Sequence, residues 1–192
     1  MCACSRVSRF CSFIVLGVAL CAQAIHATVI IPAEFREVVD GSVLIAYGRV
    51  IDVHPEWADG RRRIDSIVTV DVMSWFKGGN ESTLSFVVPG GEIGRYRQVM
   101  IGAPVFKPGD EAFLFLKSQG AGMPFVFGLN QGVFRVNVDQ RGVRKVVSPL
   151  LLASGTDPEV VRRGAVNRQP LALEAFGEQI RTAMAAGRAG AR

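Results

Sequence analysis

Two long strand patterns joined by a short polar stretch constrain this chain more than any other feature. Ser42–His54 is rich in β-branched residues, and Ile64–Phe76 sets Val68, Val70 and Val72 on one face against Thr69 and Asp71 on the other. Successive side chains of a strand point to opposite faces, so period-two alternation marks a half-buried strand. The connection, Pro55–Arg63, carries a proline, a glycine and three arginines, which makes the pair a hairpin around which a small barrel can be wound.

The remainder continues the pattern. Leu84, Phe86 and Val88 alternate with Thr83, Ser85 and Val87 as a third strand that ends at Pro89, Gly90 and Gly91. Glu111–Lys117 is apolar on both faces and is therefore expected to be central. Phe125–Leu129 and Val133–Val138 supply two more strands, and Asp139–Gly142 turns the second into Val143–Val147. From Pro89 to Asp110 the alternation lapses into a long loop with five glycines, which in a compact domain is more often functional than idle. Residues 32–40 predict a short helix with Phe35, Val38 and Val39 facing the barrel and Gly41 stopping it. Thr156–Glu159 has helix-start signals, and Leu173, Phe176, Ile180 and Met184 recur at helical spacing, with 185–192 expected to fray.

The N-terminus has the layout of a secretory signal peptide. Arg6 and Arg9 precede an apolar run over Phe10–Ala22, and small residues allow cleavage after Ala24 or Ala27. Export to the periplasm or the exterior is the expectation, with membrane contact only in transit. All four cysteines (Cys2, Cys4, Cys11, Cys21) and one of the two histidines precede residue 28. The mature chain would have no thiol nucleophile, no disulfide framework and no Cys/His set for structural zinc. Losing Arg6 and Arg9 and no acid lowers the formal charge from +5 to +3. That is too small to argue for a polyanion, so nucleic acid is not an expected partner. The division is 1–27 signal peptide, 28–148 barrel domain and 149–192 helical extension.

Few constellations carry chemistry. Asp52 and His54 fall on one strand face beside Glu56, but a lone histidine is a weak metal or base site, and His54 is taken as an ordinary strand-end residue. The Gly-rich piece Pro89–Gly94 lacks the following helix, Lys and Ser/Thr of a phosphate loop. No G-x-S-x-G elbow is present. No catalytic residue, metal ligand or cofactor is therefore expected. Trp75 and Phe76 end the second strand as a barrel-closing aromatic pair. Arg61, Arg62 and Arg63 lie beside Trp57 at the first hairpin's tip; an arginine run there serves a solvated turn, or grips an acidic partner. Glu92, Arg95, Tyr96 and Arg97 occupy the long loop, on backbone that no pattern obliges to be buried.

The segments Gly48–Val50, Trp75–Gly78, Pro89–Gly91, Phe106–Leu116 and Gly128–Phe134 together carry a G-R-V, K-G, P-G-G, F-x-x-G-[DE]-x-x-L-F-L, G-L-x-Q-G-x-F pattern. In this the chain resembles an uncharacterised group of secreted bacterial proteins. More distantly, over Ser42–Val138, its strand order is similar to netrin-type modules and the inhibitory domain of tissue inhibitors of metalloproteinases. The resemblance implies an OB-like antiparallel barrel. It does not bring the animal inhibitors' mechanism, because neither candidate mature N-terminus is a cysteine.

The expected architecture is thus mainly β, a small OB-like (netrin-like) barrel with a short N-terminal and a longer C-terminal helix. The expected function is a secreted, non-catalytic binding module, a companion or inhibitor of a secreted protease among the options. Its binding residues would be Trp57, Arg61, Arg62, Arg63, Glu92, Arg95, Tyr96 and Arg97, and its partner another secreted or envelope protein. The alternatives are a hydrolase using Asp52, Glu56 or Glu92, or a glycan-binding or structural envelope protein.

Overall fold

The computed structural model describes residues 33–149 and 170–190, apart from the side chains of 188–190. The expected leader with its cysteines, and the helix start at Thr156–Glu159, lie outside the described residues. In chain order the elements are α1 (Phe35–Gly41), β1 (Leu44–Ala58), β2 (Arg63–Lys77), β3 (Thr83–Pro89), β4 (Gly91–Ile93), β5 (Tyr96–Gln98) and β6 (Glu111–Lys117). They continue as β7 (Phe125–Val126), β8 (Val133–Val138), β9 (Arg144–Val147), β10 (Leu171–Ala172) and α2 (Leu173–Gly190).

Five strands close on themselves. Neighbours run β1-β2-β3-β7-β6, and Leu44–Arg49 of β1 pairs back onto β6 to complete the ring. All pairings are antiparallel except β3 with β7, which meet in parallel at Val87 and Phe125. Numbered along the chain, the ring is 1-2-3-5-4-1, the order of an OB-type Greek-key barrel. β8 shares the other edge of β6 with β7, and β9 and β10 extend the sheet from there. The mainly β class, the small barrel and the two flanking helices are as expected.

Alternation along β6 builds two cores at once. Ala112, Leu114 and Leu116 point into the barrel with Ala46, Val50, Val68, Val70, Phe86 and Val133. Phe113 and Phe115 point outward into a second cluster with Val38, Val39, Phe134, Phe176 and Ile180. The second layer is aromatic: Phe176 of α2 lies 4.9 Å from Phe113 and 4.9 Å from Phe134, and Tyr47 stacks on Phe113 at 4.7 Å. Both faces of β6 are dry, which is why its sequence shows no polar alternation. The C-terminal helix belongs to the same compact unit as the barrel.

Several boundaries differ from the sequence expectation, each for a local reason. The β1–β2 hairpin is longer than its pattern: β1 runs through Pro55, Glu56 and Trp57, leaving a turn of only Asp59–Arg62. Those residues form an arm whose outer edge is free, since β1 pairs with β6 only as far as Arg49, while β2 stays paired with β3 as far as Asp65. An arm edge needs no second ladder, so Pro55, which has no N–H, is tolerated there. α1 spans 35–41 rather than 32–40. Gly41 does not stop it through a left-handed conformation; Ser42 is extended, and its hydroxyl donates to the Val38 carbonyl at 2.6 Å. Gly41 is instead needed for space, because a Cβ there would lie 2.6 Å from the Phe127 ring. The strand expected over 125–129 is two residues long, since the chain turns at Gly128 and Leu129, both at positive φ. α2 continues to Gly190, so the expected fraying from 185 does not occur over the described part.

The residues that carry the sequence pattern hold the fold. The Lys77 ammonium donates to the Val39 carbonyl at 3.2 Å, tying β2 to α1. Buried Gln131 accepts from the Ala33 N–H at 2.6 Å, fixing the chain's approach to α1. Trp75, half-buried against the barrel core, donates its indole N–H to the Glu81 carbonyl at 2.7 Å.

Candidate functional site

The 89–110 stretch, expected to be a loop throughout, contains a small hairpin of β4 and β5. Three-residue strands are too short to show a period, and tertiary contacts place them. Gly91 packs against Pro55, Ile64 and Ser66 of the arm, and the Gln98 side-chain oxygen accepts from the Ile64 N–H at 2.8 Å. From Val99 the chain runs back to the barrel, where buried Phe106 enters the core against Phe86 at 5.5 Å. Gly109 and Asp110 then bond to Val50 of β1, at 2.8 Å each.

This course leaves a cleft of about 660 Å³ at one end of the barrel. One wall is Val53, Pro55, Ser66 and Val68 of the arm; the opposite wall is the 99–106 segment, and Val88 and Pro89 lie between. Glu92, Arg97 and Gln98 contribute polar groups to an otherwise mostly apolar lining. A few hundred cubic ångströms of apolar surface with a few polar groups is the usual form of a ligand pocket.

Four of the residues singled out from the sequence meet on the segments that supply Pro55, Arg97 and Gln98 to this cleft. Trp57 of β1 and Tyr96 of β5 pack edge to face at 5.5 Å. The Arg61 guanidinium lies over the Trp57 ring at 5.6 Å, and that of Arg95 over Tyr96 at 5.1 Å, where it also donates to the phenol oxygen at 3.0 Å. Two cations thus bracket two aromatic rings, an arrangement favoured by the negative ring faces. Arg61 reaches its place from a left-handed backbone, φ +68°, which is uncommon for a residue with a side chain. Glu92 and Arg97 face each other across the β4–β5 hairpin.

Arg62 and Arg63 do not join this cluster. Arg62 folds back on Asp59, whose carboxylate it reaches at 2.9 Å. Arg63 grips the largely buried Asp65 with both Nε and Nη2, the shorter contact 2.7 Å. The three arginines are therefore not interchangeable: removing Arg63 strands a buried carboxylate, whereas removing Arg61 frees only a surface charge.

The residues missed in the sequence are Val99, Met100, Ile101 and Val105, all exposed. An apolar run without a period, between Gly and Pro inside a loop, was the available signal. As to the hydrolase alternative, Asp52, Glu56 and Glu92 are all exposed, Glu56 lying 3.9 Å from His54. Among the described residues no three His, Cys, Asp or Glu side chains are grouped to hold a metal ion.

A second polar cluster closes the barrel seam. Glu111 accepts from the Tyr47 hydroxyl at 2.7 Å and from Arg49 at 2.6 Å, with Arg144 at 3.6 Å. Partial burial pushes the Glu111 carboxyl up, but the hydrogen bonds from Arg49 and Tyr47 and the nearby arginine charges outweigh it and hold the carboxyl below its usual range. Burial and the same carboxylate push the Tyr47 phenol up. A folded-state pKa below the unfolded one means the ionised carboxylate stabilises the fold. That contribution is complete above the unfolded carboxylate pKa and is lost as pH falls through the depressed folded value. Urea midpoints measured across the acid range should fall less steeply in Glu111→Gln than in the parent. Parallel acid limbs would show that Glu111 contributes no such linkage.

No protein-family model matches the sequence, no curated protein matches it, and no solved structure matches the fold.

Proposed function

We propose that this domain is a non-catalytic binding module of an exported protein, and that it engages another secreted or envelope protein at the cleft beside the β1–β2 arm. The observation that carries this reading is the convergence of two chain segments, remote in sequence, on one surface. Trp57 and Arg61 come from the end of β1 and the hairpin turn, Arg95 and Tyr96 from the insertion between β3 and β6, and the same segments supply Pro55, Glu92, Arg97 and Gln98 to the lining of the apolar cleft. Trp, Tyr and Arg are the residue types enriched in binding hot spots. OB barrels also use the loop after their first strand for ligands, which here is the Asp59–Arg62 turn. The signal-like N-terminus supports export, and the netrin-like resemblance supports a companion or inhibitor of a secreted protease as the partner class.

The test is affinity measured against exported proteins retained by the immobilised parent domain, using single variants that spare Arg63. Tyr96→Ala removes the ring shared by Trp57 and Arg95, and should weaken binding by about 2 kcal/mol. Arg61→Ser should weaken it less, with a loss that shrinks as salt rises. Both variants should keep the parent's unfolding free energy to within roughly 0.5–1 kcal/mol. Parent affinity in both would remove this surface from recognition.

A further inference from the structure

We infer that the Val99–Val105 segment is a docking tip that seats the domain on an anionic bilayer surface. Ile101 is 88% exposed, Val105 82% and Val99 70%, with Met100 also exposed between them. The other exposed large apolar residues (Val43, Ile51, Met73, Met123, and the Val138 and Val143 pair at the β8–β9 turn) occur singly or in twos along the chain. Scattered apolar side chains are normal on a protein surface, whereas a contiguous set marks an interaction site.

The tip is held out rather than left to collapse. At one end Gln98 is tied to Ile64, and at the other Phe106 is locked in the barrel core. Arg135 spans the second anchor: it pairs with Asp110 at 2.9 Å, donates to the Val105 carbonyl and lies over the Phe106 ring. Within the tip, the Ala103 N–H bonds to the Met100 carbonyl at 3.1 Å. Pro104 and Phe106 are the buried residues of this segment, while Val99, Ile101 and Val105 stay exposed along the wall of the cleft.

Charge complementarity selects the occupant. Arg95 and Arg97 precede the tip and Lys107 follows it, and all three are exposed. Among the described residues neither Arg97 nor Lys107 has an acidic partner within ion-pair distance. Basic residues flanking an apolar tip match anionic headgroups over hydrocarbon. Tyr96, at the base of the tip with Trp57 against it, is the kind of amphipathic ring that resides at a bilayer interface. The tip itself is aliphatic, and valine is under-represented among protein-binding hot spots. The attachment inferred here is by insertion of a loop; among the described residues no helix is long and apolar enough to cross a membrane.

This goes beyond the proposed protein-binding function and needs no protein partner. Purified protein is co-sedimented with vesicles of phosphatidylcholine alone and with vesicles that also contain phosphatidylglycerol. The parent should bind the anionic vesicles and bind the neutral ones much more weakly. The double variant Ile101→Asp/Val105→Asp should lose at least about tenfold in affinity, and Arg97→Gln/Lys107→Gln about fivefold for each charge removed. These residues are exposed, so the unfolding midpoints should stay close to the parent's, and Ile101→Ser offers a milder variant if they do not. No binding of the parent to anionic vesicles would overturn the inference, as would equal binding to both vesicle types or full binding by the aspartate variant. If the aspartate variant lost a protein partner while the parent ignored vesicles, the tip would belong to protein recognition instead. Vesicles contain no protein, so such a failure leaves the cleft reading standing.

Discussion

Phe115→Ala is expected to lower the unfolding free energy by about 3–5 kcal/mol, a large part of what a domain of this size has. Phe115 is fully buried in the layer between the barrel and the helices, with its ring 5.2 Å from Phe134 and 5.9 Å from Phe35. Deleting it removes the ring's burial and leaves a cavity that aromatic neighbours fixed on three different elements cannot close. Leu114→Ala, one residue away, should cost about 2–5 kcal/mol for a different reason: it empties part of the barrel interior. Urea unfolding gives both magnitudes, and amide exchange separates them. Loss of Phe115 should release protection first in α2, whereas loss of Leu114 should lower protection across β1, β2 and β6 together. A midpoint unmoved by either substitution would contradict the two-core arrangement.

Gly78→Ala is the second large effect, expected at about 2–4 kcal/mol. Gly78 follows β2 at φ +76°, and a Cβ there would lie 2.1 Å from the Val43 carbonyl oxygen and 2.9 Å from the Leu44 side chain. The obstacle is backbone at the start of β1, so it can give way only by moving the strand that closes the barrel. Gly142 supplies the control, because it has the same φ of +76° with nothing within 4 Å of its Cβ position. Gly142→Ala should therefore cost only the left-handed backbone penalty, roughly 1–2 kcal/mol. Equal losses in the two variants would mean the contact with Val43 is not what demands glycine at 78.

Much of the candidate site was hidden from the sequence for a physical reason. Trp57, Arg61, Arg95 and Tyr96 could be singled out because polar and aromatic groups on unpatterned backbone are noticeable. Their meeting could not be read, since it depends on β4 and β5, three residues each, being placed by Gly91 against Pro55 and by Gln98 against Ile64. The same blindness grouped Arg62 and Arg63 with Arg61. Only the structure shows that the first is held by Asp59 and the second by Asp65. Val99, Met100, Ile101 and Val105 passed unnoticed because apolar residues in a loop look like buried ones until their exposure is known.

What the sequence determined by itself is local: which segments extend, where they turn, and that Glu111–Lys117 must be dry on both sides. Strand period, turn residues and helical spacing act within a few positions, so they can be read without knowing the neighbours. The tertiary structure alone decided that β1 pairs back onto β6 and that β3 meets β7 in parallel. It alone divided the phenylalanines between a barrel interior and an outer layer under the helices. Such pairings join segments tens of residues apart. Their selection rests on which closed arrangement buries both faces of β6 at once, a property of the whole chain that no single stretch encodes.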